Sequence, residues 1–239
     1  MKQGIPKYIY KYVSFDYLCN ILQNKTLNFK KPKDFNDPFE GKFYVKSFSQ
    51  TQIDELKKNL PNHIKALFNQ ESVISQHIQI VDFFEAIINL NGYCCFSKNF
   101  DNLLMWAHYT RSHNGACLKF DTEKLIKSFP IIKAVTYSDN YEDLDIYSDL
   151  NKSIEDIPFR KSKHWKYEEE VRIKSTTVGD VPLDIECIEE VILGLHFRNT
   201  VKTFEKIIYN DKTLKFKVSA IHASSFDYTI NNNYKIIYK

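Results

Sequence analysis

The chain has 239 residues, of which 43% are hydrophobic, 15% aromatic and 26% charged, and its formal net charge is +3. These proportions are typical of a globular domain and exclude a disordered or collagen-like chain. A net charge this close to zero does not by itself indicate a nucleic-acid-binding protein.

The first predicted elements form a strand–helix–strand unit. Residues 8–13 alternate in polarity, with three tyrosines on one face of the predicted strand and Lys11 on the other. Ser14 is a suitable N-cap for an apolar-periodic helix over residues 15–22. Residues 27–29 then predict a second short strand.

A turn-rich loop and a long helical region follow. Residues 31–41 combine two prolines, a glycine and several turn-forming residues, and we expect Phe35 and Phe39 to anchor this loop. The periodicity of residues 49–91 predicts helices. We interpret this region as an insertion into a single domain that spans residues 1–239.

The rest of the chain predicts short strands and helices. Strands are predicted at 93–97, 116–120, 131–137, 169–174, 188–193, 214–218 and 234–238. Helices are predicted at 103–110 and 201–208. The expected fold class is therefore α+β, with a split or strongly bent mixed β-sheet.

The segment 165–173 places three adjacent glutamates before an apolar strand. In an alternating strand, Glu168, Glu170 and Arg172 share one face. A carboxylate beside an arginine on a cleft-facing strand stays ionised, which suits hydrogen bonding to sugar hydroxyls or stabilising a positive charge. The alternative is that the acids form a solvated strand edge with Arg172 as their surface partner.

Basic residues cluster around a tryptophan directly before the acids. Arg160, Lys161, Lys163 and Lys166 flank Trp165, and such a mixture can bind phosphates and stack a base. Nucleic acid is therefore a candidate partner. A solvated, lysine-rich face is the alternative.

Other kinds of site are not indicated. The seven histidines are scattered, no His or Cys pair has ligand spacing, and there is no Gly-rich phosphate loop. We therefore expect no metal.

The five cysteines are odd in number and show no CxxC spacing, no apolar leader follows Met1, and no stretch reaches membrane-spanning length. These features predict a cytoplasmic protein without a membrane segment.

Several motifs resemble those of a widespread bacterial family known only as a domain of unknown function. They are Tyr10-Lys11-Tyr12 with the FNDPFE run at 35–40, Cys95-Phe96-Ser97 with LMWAHY at 104–109 and GAC at 115–117, and the run from Trp165 to Arg172. Together they span most of the chain. This resemblance implies kinship and no activity.

The order of the elements is also similar to that of ADP-ribosyltransferases, including bacterial toxins that modify nucleic acid. This resemblance implies NAD as a substrate and Glu170, Tyr109 and Ser97 as catalytic residues. Glu170 would hydrogen-bond the ribose and offset the positive charge of an oxocarbenium-like sugar. That family carries an aromatic residue, His or Arg on its first strand, and the matching places here are Tyr10, Lys11 or Tyr12. No His or Arg is among them, so Lys11 would have to substitute, which is a departure from the family's pattern.

Further residues are candidate contacts of NAD. They are Lys11, Tyr12, Trp106, His108, Asn36 and Arg172. Tyr12 or Tyr109 would stack on the nicotinamide, and Ser97 or Lys11 would hold the ribose or the phosphates. Alternatively, Trp106 packs in the core and His108 is a buried histidine that hydrogen-bonds a neighbour.

We therefore expect an NAD-dependent ADP-ribosyltransferase-like enzyme, a toxin or phage-defence effector that acts on nucleic acid or protein and has a neutralising partner protein. The alternative is a non-catalytic module of a bacterial defence system that binds nucleic acid or protein.

Overall fold

The computed structural model describes residues 4–44, 50–59, 62–65, 73–141, 144, 150–197, 201–223 and 228–231. Its strands are β1 (Tyr8–Val13), β2 (Thr26–Phe29), β3 (Gly92–Ser97), β4 (Ala116–Asp121), β5 (Ile132–Ala134), β6 (Thr136–Ser138), β7 (Arg160–Ser162), β8 (Glu170–Ser175), β9 (Gly179–Pro182), β10 (Ile188–Leu193), β11 (Lys217–Ala223) and β12 (Tyr228–Asn231). Its helices are α1 (Phe15–Asn24), α2 (Gln50–Asn59), α3 (Asn62–Lys65), α4 (Val73–Ile88), α5 (Leu103–Tyr109), α6 (Thr122–Ser128), α7 (Leu150–Asp156) and α8 (Val201–Asn210).

Within these residues, eight strands form one mixed sheet in the order β12-β11-β10-β4-β1-β3-β8-β5. Strands β10 and β11 run parallel, and β1 is antiparallel to both β3 and β4. Two smaller sheets pair β2 with β9 and β6 with β7. The predicted α+β class with a mixed sheet is confirmed.

The sheet is nearly divided between β1 and β3. Strand β1 pairs with β4 along its whole length but with β3 only at Tyr10 and Ser97. Strand β3 in turn pairs with β8 along its whole length. Because the two halves share so few strand pairings, space is left beside β1 and β3 for a cavity.

Alternation along β1 divides its side chains between two hydrophobic clusters. Ile9 and Val13 belong to the larger cluster, which also contains buried residues of α1, α6 and α8. Tyr12 lies on the opposite face, in a smaller cluster with Met105 and Trp106 of α5. The alternation of side chains that predicted β1 therefore also determines which helices pack against each face of this strand.

The opening strand–helix–strand unit is confirmed, including its cap. The Ser14 side chain accepts a hydrogen bond from the Tyr17 backbone N–H at 3.3 Å, which satisfies one of the unpaired donors of the first turn of α1. The helix ends at Lys25, whose φ of 53° is left-handed.

Some predicted elements differ from the observed ones. The single strand predicted at 131–137 is divided into β5, which pairs with β8 in the large sheet, and β6, which pairs with β7 in a small one. The Val135 backbone N–H, between them, donates to the Glu170 carbonyl. The strand predicted at 214–218 lies further on, as β11. The strand predicted at 234–238 falls outside the described residues.

The segment before β8 is not the extended strand that alternation predicts. Residues Lys163–Glu168 form a 3₁₀ helix whose N-cap, Ser162, accepts a hydrogen bond from the His164 backbone N–H. Glu169 then adopts a left-handed conformation with φ of 44°, and β8 begins at Glu170. The region predicted to be helical at 49–91 contains α2, α3 and α4.

Candidate functional site

A cavity of about 680 Å³ lies beside β1 and β3, within the range of about 300–1,000 Å³ that is usual for small-molecule sites. Its walls include residues from β1, β2, β3, β8, α1 and α5. Two parts of its lining differ in chemistry. We call the part around Glu168 and Glu170 the carboxylate end, and the part formed by alternate residues of β2 the β2 end.

Glu170 is fixed at the carboxylate end by Arg172. The two residues are on one face of β8, and the guanidinium Nε and Nη2 donate to Oε1 and Oε2 of Glu170 at 2.6 and 2.9 Å. Arg172 is 0% exposed and Glu170 is 3% exposed. The register of β3 against β8 sets Glu170 opposite Ser97 and Arg172 opposite Cys95, so both charged residues border the cavity.

Lys161 joins the two buried glutamates. Its ammonium lies 2.5 Å from Oε2 of Glu168 and 3.1 Å from Oε2 of Glu170, and all three side chains are at most 4% exposed. The alternative of a solvated acidic strand edge, with Arg172 on the surface, is therefore wrong for Glu168, Glu170 and Arg172. Only Glu169 among the three adjacent acids is exposed.

The two buried carboxyl groups differ in the direction of their pKa shifts. Burial acts to raise the pKa of Glu170, but Arg172 and then Lys161 outweigh it and lower this pKa to about 2. Burial raises the pKa of Glu168, an effect that Lys161 opposes and the neighbouring Glu170 charge reinforces. One site thus holds a carboxylate that stays ionised and a second carboxyl group that takes up a proton more readily.

Tyr109 links α5 to Glu168. Its hydroxyl donates to Oε1 of Glu168 at 2.5 Å and accepts a hydrogen bond from Nδ2 of Asn36 at 3.1 Å. The helix is positioned by Asn102, whose Oδ1 caps its first turn and whose Nδ2 donates to the Tyr167 carbonyl at 2.7 Å. The Tyr109 hydroxyl is therefore held between Glu168 and Asn36, two residues far from it in sequence.

The 35–41 loop is fastened to the same network. Glu40 accepts a hydrogen bond from Nη1 of Arg172 at 2.5 Å, and the Phe35 ring lies 5.0 Å from the guanidinium carbon. Phe39 is 60% exposed, so the expectation that both phenylalanines anchor the loop is wrong for Phe39. An ion pair supplies the second anchor, and Oδ2 of the buried Asp37 has no hydrogen-bond partner among the described residues.

Most of the predicted site residues line this cavity. They are Lys11, Tyr12, Asn36, Ser97, His108, Tyr109, Glu170 and Arg172. Trp106 is the exception, because it is fully buried in the smaller cluster, donates from Nε1 to the Phe100 carbonyl at 2.6 Å and packs edge-on against Tyr12. Its alternative assignment to the core agrees with this position.

Some residues that line the cavity are not among the predicted site residues. One is Glu168, although the alternating pattern places it on the same face as Glu170. At the β2 end, Thr26, Asn28 and Lys30 also line the cavity. Their signal is visible in the sequence, since polar residues occupy every second position from 26 to 30.

The basic segment does not form one uniform solvated surface. Lys161 is buried against two glutamates and lies 4.7 Å from the centre of the Trp165 ring, and Lys163 pairs with Asp139. Lys166 is exposed. The cations predicted to bind phosphate are therefore partly neutralised by acids of the same chain.

The described residues contain neither a membrane-spanning helix nor a metal-binding cluster. Within them, no helix combines the length and apolar character needed to cross a bilayer. The same part of the chain holds no group of three or more His, Cys, Asp or Glu side chains arranged to bind a metal ion. All five cysteines are free thiols.

Residues 105–173 match the model of a family described as "Protein of unknown function (DUF2971)". This match confirms the resemblance to an uncharacterised family and includes the segment from Trp165 to Arg172. The comparison with curated proteins gave no match. The solved structure of "Thermus sp. 2.9 DarT in complex with ADP-ribosylated ssDNA" aligns with 91% of this chain and 96% of its own, at 12% identity and a TM-score of 0.39. A likeness of this extent carries no argument about activity.

Proposed function

We propose that the protein is an NAD-using ADP-ribosyltransferase-like enzyme and that Glu170 is its principal catalytic residue. One observation supports this most: two buried carboxyl groups, with pKa values shifted in opposite directions, lie at one end of a cavity of nucleotide-binding size. Paired carboxyl groups of this kind suit reactions at the anomeric carbon of a sugar.

The proposed reaction breaks the bond between C1′ of the ribose and the nicotinamide nitrogen. The bonding electrons leave with nicotinamide, and positive charge develops on the sugar. Glu170 would stabilise that charge because its carboxylate is ionised and is fixed in position by Arg172. The acceptor then forms the new bond to C1′ and releases a proton, which Glu168 would accept.

Other residues that line the cavity carry hydrogen-bonding or aromatic groups that suit the binding of NAD. The Ser97 hydroxyl accepts the Asn99 backbone N–H at 3.1 Å, so its own proton is available to a ribose oxygen. Tyr12 and Tyr109 line the cavity, and an aromatic ring can stack on nicotinamide. Asn36, His108, Lys11 and Arg172 would contact NAD or hold the residues that do.

The experiment is incubation of the protein with NAD labelled in its adenosine half, with release of nicotinamide and transfer of label measured separately. Glu170→Gln should abolish both signals. Glu169→Gln is the matched control, because it makes the same change at the adjacent, exposed glutamate, which is hydrogen-bonded to Asn99 rather than to the buried network.

Folding has to be checked in the same samples, because Glu170 is part of a buried ion network. Ser97→Ala provides a second variant that leaves this network unchanged and should slow nicotinamide release. If folded wild-type protein releases no nicotinamide with any acceptor offered, or if Glu170→Gln remains as active as Glu169→Gln, the proposal is wrong.

The biological part of the proposal is a toxin or phage-defence effector of the bacterial cytoplasm, acting on nucleic acid or protein and neutralised by a partner protein. Expression of the wild-type chain should then arrest bacterial growth, and Glu170→Gln should relieve the arrest. Equal growth with both chains would count against this role. We do not favour the non-catalytic binding module, because Lys161 and Lys163 already pair with acids.

A further inference from the structure

Polar side chains at every second position line the β2 end of the cavity. Thr26, Asn28 and Lys30 occupy alternate positions along one face of the chain at β2, and all three line the cavity. The backbone of Lys30 is fixed by two hydrogen bonds to Tyr93, its N–H donating at 3.0 Å and its carbonyl accepting at 2.8 Å. The row is therefore held against β3.

Strand β9 adds a carboxylate to this end. Asp180 is the register partner of Asn28, accepts a hydrogen bond from its Nδ2 at 2.8 Å and also lines the cavity. The Tyr17 hydroxyl accepts the Asn28 backbone N–H at 2.8 Å, which leaves its own proton available to a ligand. A carboxylate and hydroxyl in this position can hydrogen-bond the hydroxyl groups of a ribose.

Two lysines border this end: Lys30 belongs to the polar row, and Lys11 lies 5.9 Å from the centre of the Tyr17 ring, whose hydroxyl contacts Asn28. They differ from the cations at the carboxylate end. Arg172 and Lys161 each lie against two glutamates. In contrast, Lys11 donates to the Cys95 carbonyl at 3.0 Å, and neither Lys11 nor Lys30 forms an ion pair within the described part of the chain. Cations that line a cavity without a carboxylate partner favour an anionic ligand.

We propose that the β2 end is a subsite for the phosphate group of a ribonucleoside phosphate. Lys11 and Lys30 bind the phosphate, and Asp180 accepts hydrogen bonds from the adjoining ribose. This inference deepens the proposed function and rests on it for orientation: the phosphates lie at the β2 end, and the sugar that reacts lies at the carboxylate end. The inference adds Lys30 and Asp180 to the residues that select the ligand.

The subsite is tested by calorimetric titration of the full chain with AMP, adenosine and inorganic phosphate, each without NAD or acceptor. Wild-type protein should bind AMP more tightly than adenosine. Lys30→Met and Lys11→Met should each weaken AMP binding by about tenfold and leave adenosine binding unchanged, as expected for the loss of one charge-assisted hydrogen bond. Lys33→Met is the matched control, because Lys33 is exposed and does not line the cavity.

Each outcome decides the matter. Equal affinity for AMP and adenosine, a loss as large with Lys33→Met, or inorganic phosphate binding as tightly as AMP would overturn the subsite. Lys11 lies in β1, and Lys11→Met could therefore fail to fold. In that case the result for Lys30→Met is used, because the Lys30 side chain is exposed. If AMP binding depends on the two lysines but the protein does not turn over NAD, the subsite is supported and the proposed function is wrong. If the protein turns over NAD but AMP binding does not depend on Lys30, the proposed function is supported and the subsite is wrong.

Discussion

The most demanding prediction concerns Arg172→Met. The guanidinium is fully buried and binds Glu170 through two hydrogen bonds, Glu40 through one and the Pro158 carbonyl through another. Methionine fills much of the same space but provides no donor. The variant therefore leaves the buried carboxylate of Glu40 without the cation it binds and leaves Glu170 with Lys161 as its remaining cation.

The structure gives the size of the effect. Removing one partner of a buried ion pair costs about 3–5 kcal/mol, out of the roughly 5–15 kcal/mol that stabilises an ordinary protein. The pKa of Glu170 gives a second figure: burial alone would raise it, and the fall from 4.5 to about 2 caused by Arg172 and Lys161 corresponds to roughly 3 kcal/mol. We expect a loss of about 3 kcal/mol, since Lys161 remains.

The assay is urea unfolding near neutral pH, followed by tryptophan fluorescence. The control is Arg111→Met, because Arg111 pairs with Asp16 on the surface, where the two side chains are 72% and 65% exposed. That pair should contribute less than about 1 kcal/mol. If the two variants shift the unfolding midpoint equally, the buried network does not have the energetic role assigned to it.

The same variant should change the response to acid. The pKa of Glu170 lies below its ordinary value in the folded protein, so its contribution to stability is present above about pH 4.5 and is lost as the pH falls through about 2. In Arg172→Met burial is opposed only by Lys161 and a hydrogen bond from Cys95, and the pKa of Glu170 should rise. Acid unfolding should then begin at a higher pH than in the wild type. If both proteins begin to unfold at the same acidic pH, this reasoning is wrong.

Three further predictions concern stability measured by urea unfolding. Tyr109→Phe should lower the free energy of unfolding by about 1–3 kcal/mol, because it removes a hydrogen bond to the buried Glu168; no change would show that this bond adds nothing. Asp121→Ala should cost about 1 kcal/mol by removing the N-cap of α6, and an effect within error would contradict the capping role. Gly115→Ala should cost at least about 1–3 kcal/mol, since an added Cβ would lie 2.0 Å from the Val13 carbonyl oxygen, and a variant as stable as the wild type would show that the backbone yields easily.

Local pattern was enough to predict many of the elements. The alternation of residues 8–13, the cap at Ser14 and the apolar runs at 93–97 and 188–193 each depend on neighbours in sequence, and the corresponding strands and helix are present. The resemblance to an uncharacterised family, whose model matches residues 105–173, was also recognised from the sequence. The motifs further selected eight residues that line one cavity.

The relations between distant charges were decided by the tertiary structure. The sequence places Lys161 in a basic run, but folding buries it against two glutamates; it places Trp106 beside site residues, but folding turns its ring into the core. A buried charge is tolerated only where an opposite charge or a donor compensates its lost hydration, and that partner can come from any part of the chain. Local sequence fixes which face of a strand a side chain occupies, whereas the packing of distant segments decides whether that face meets water, a ligand cavity or a counter-charge.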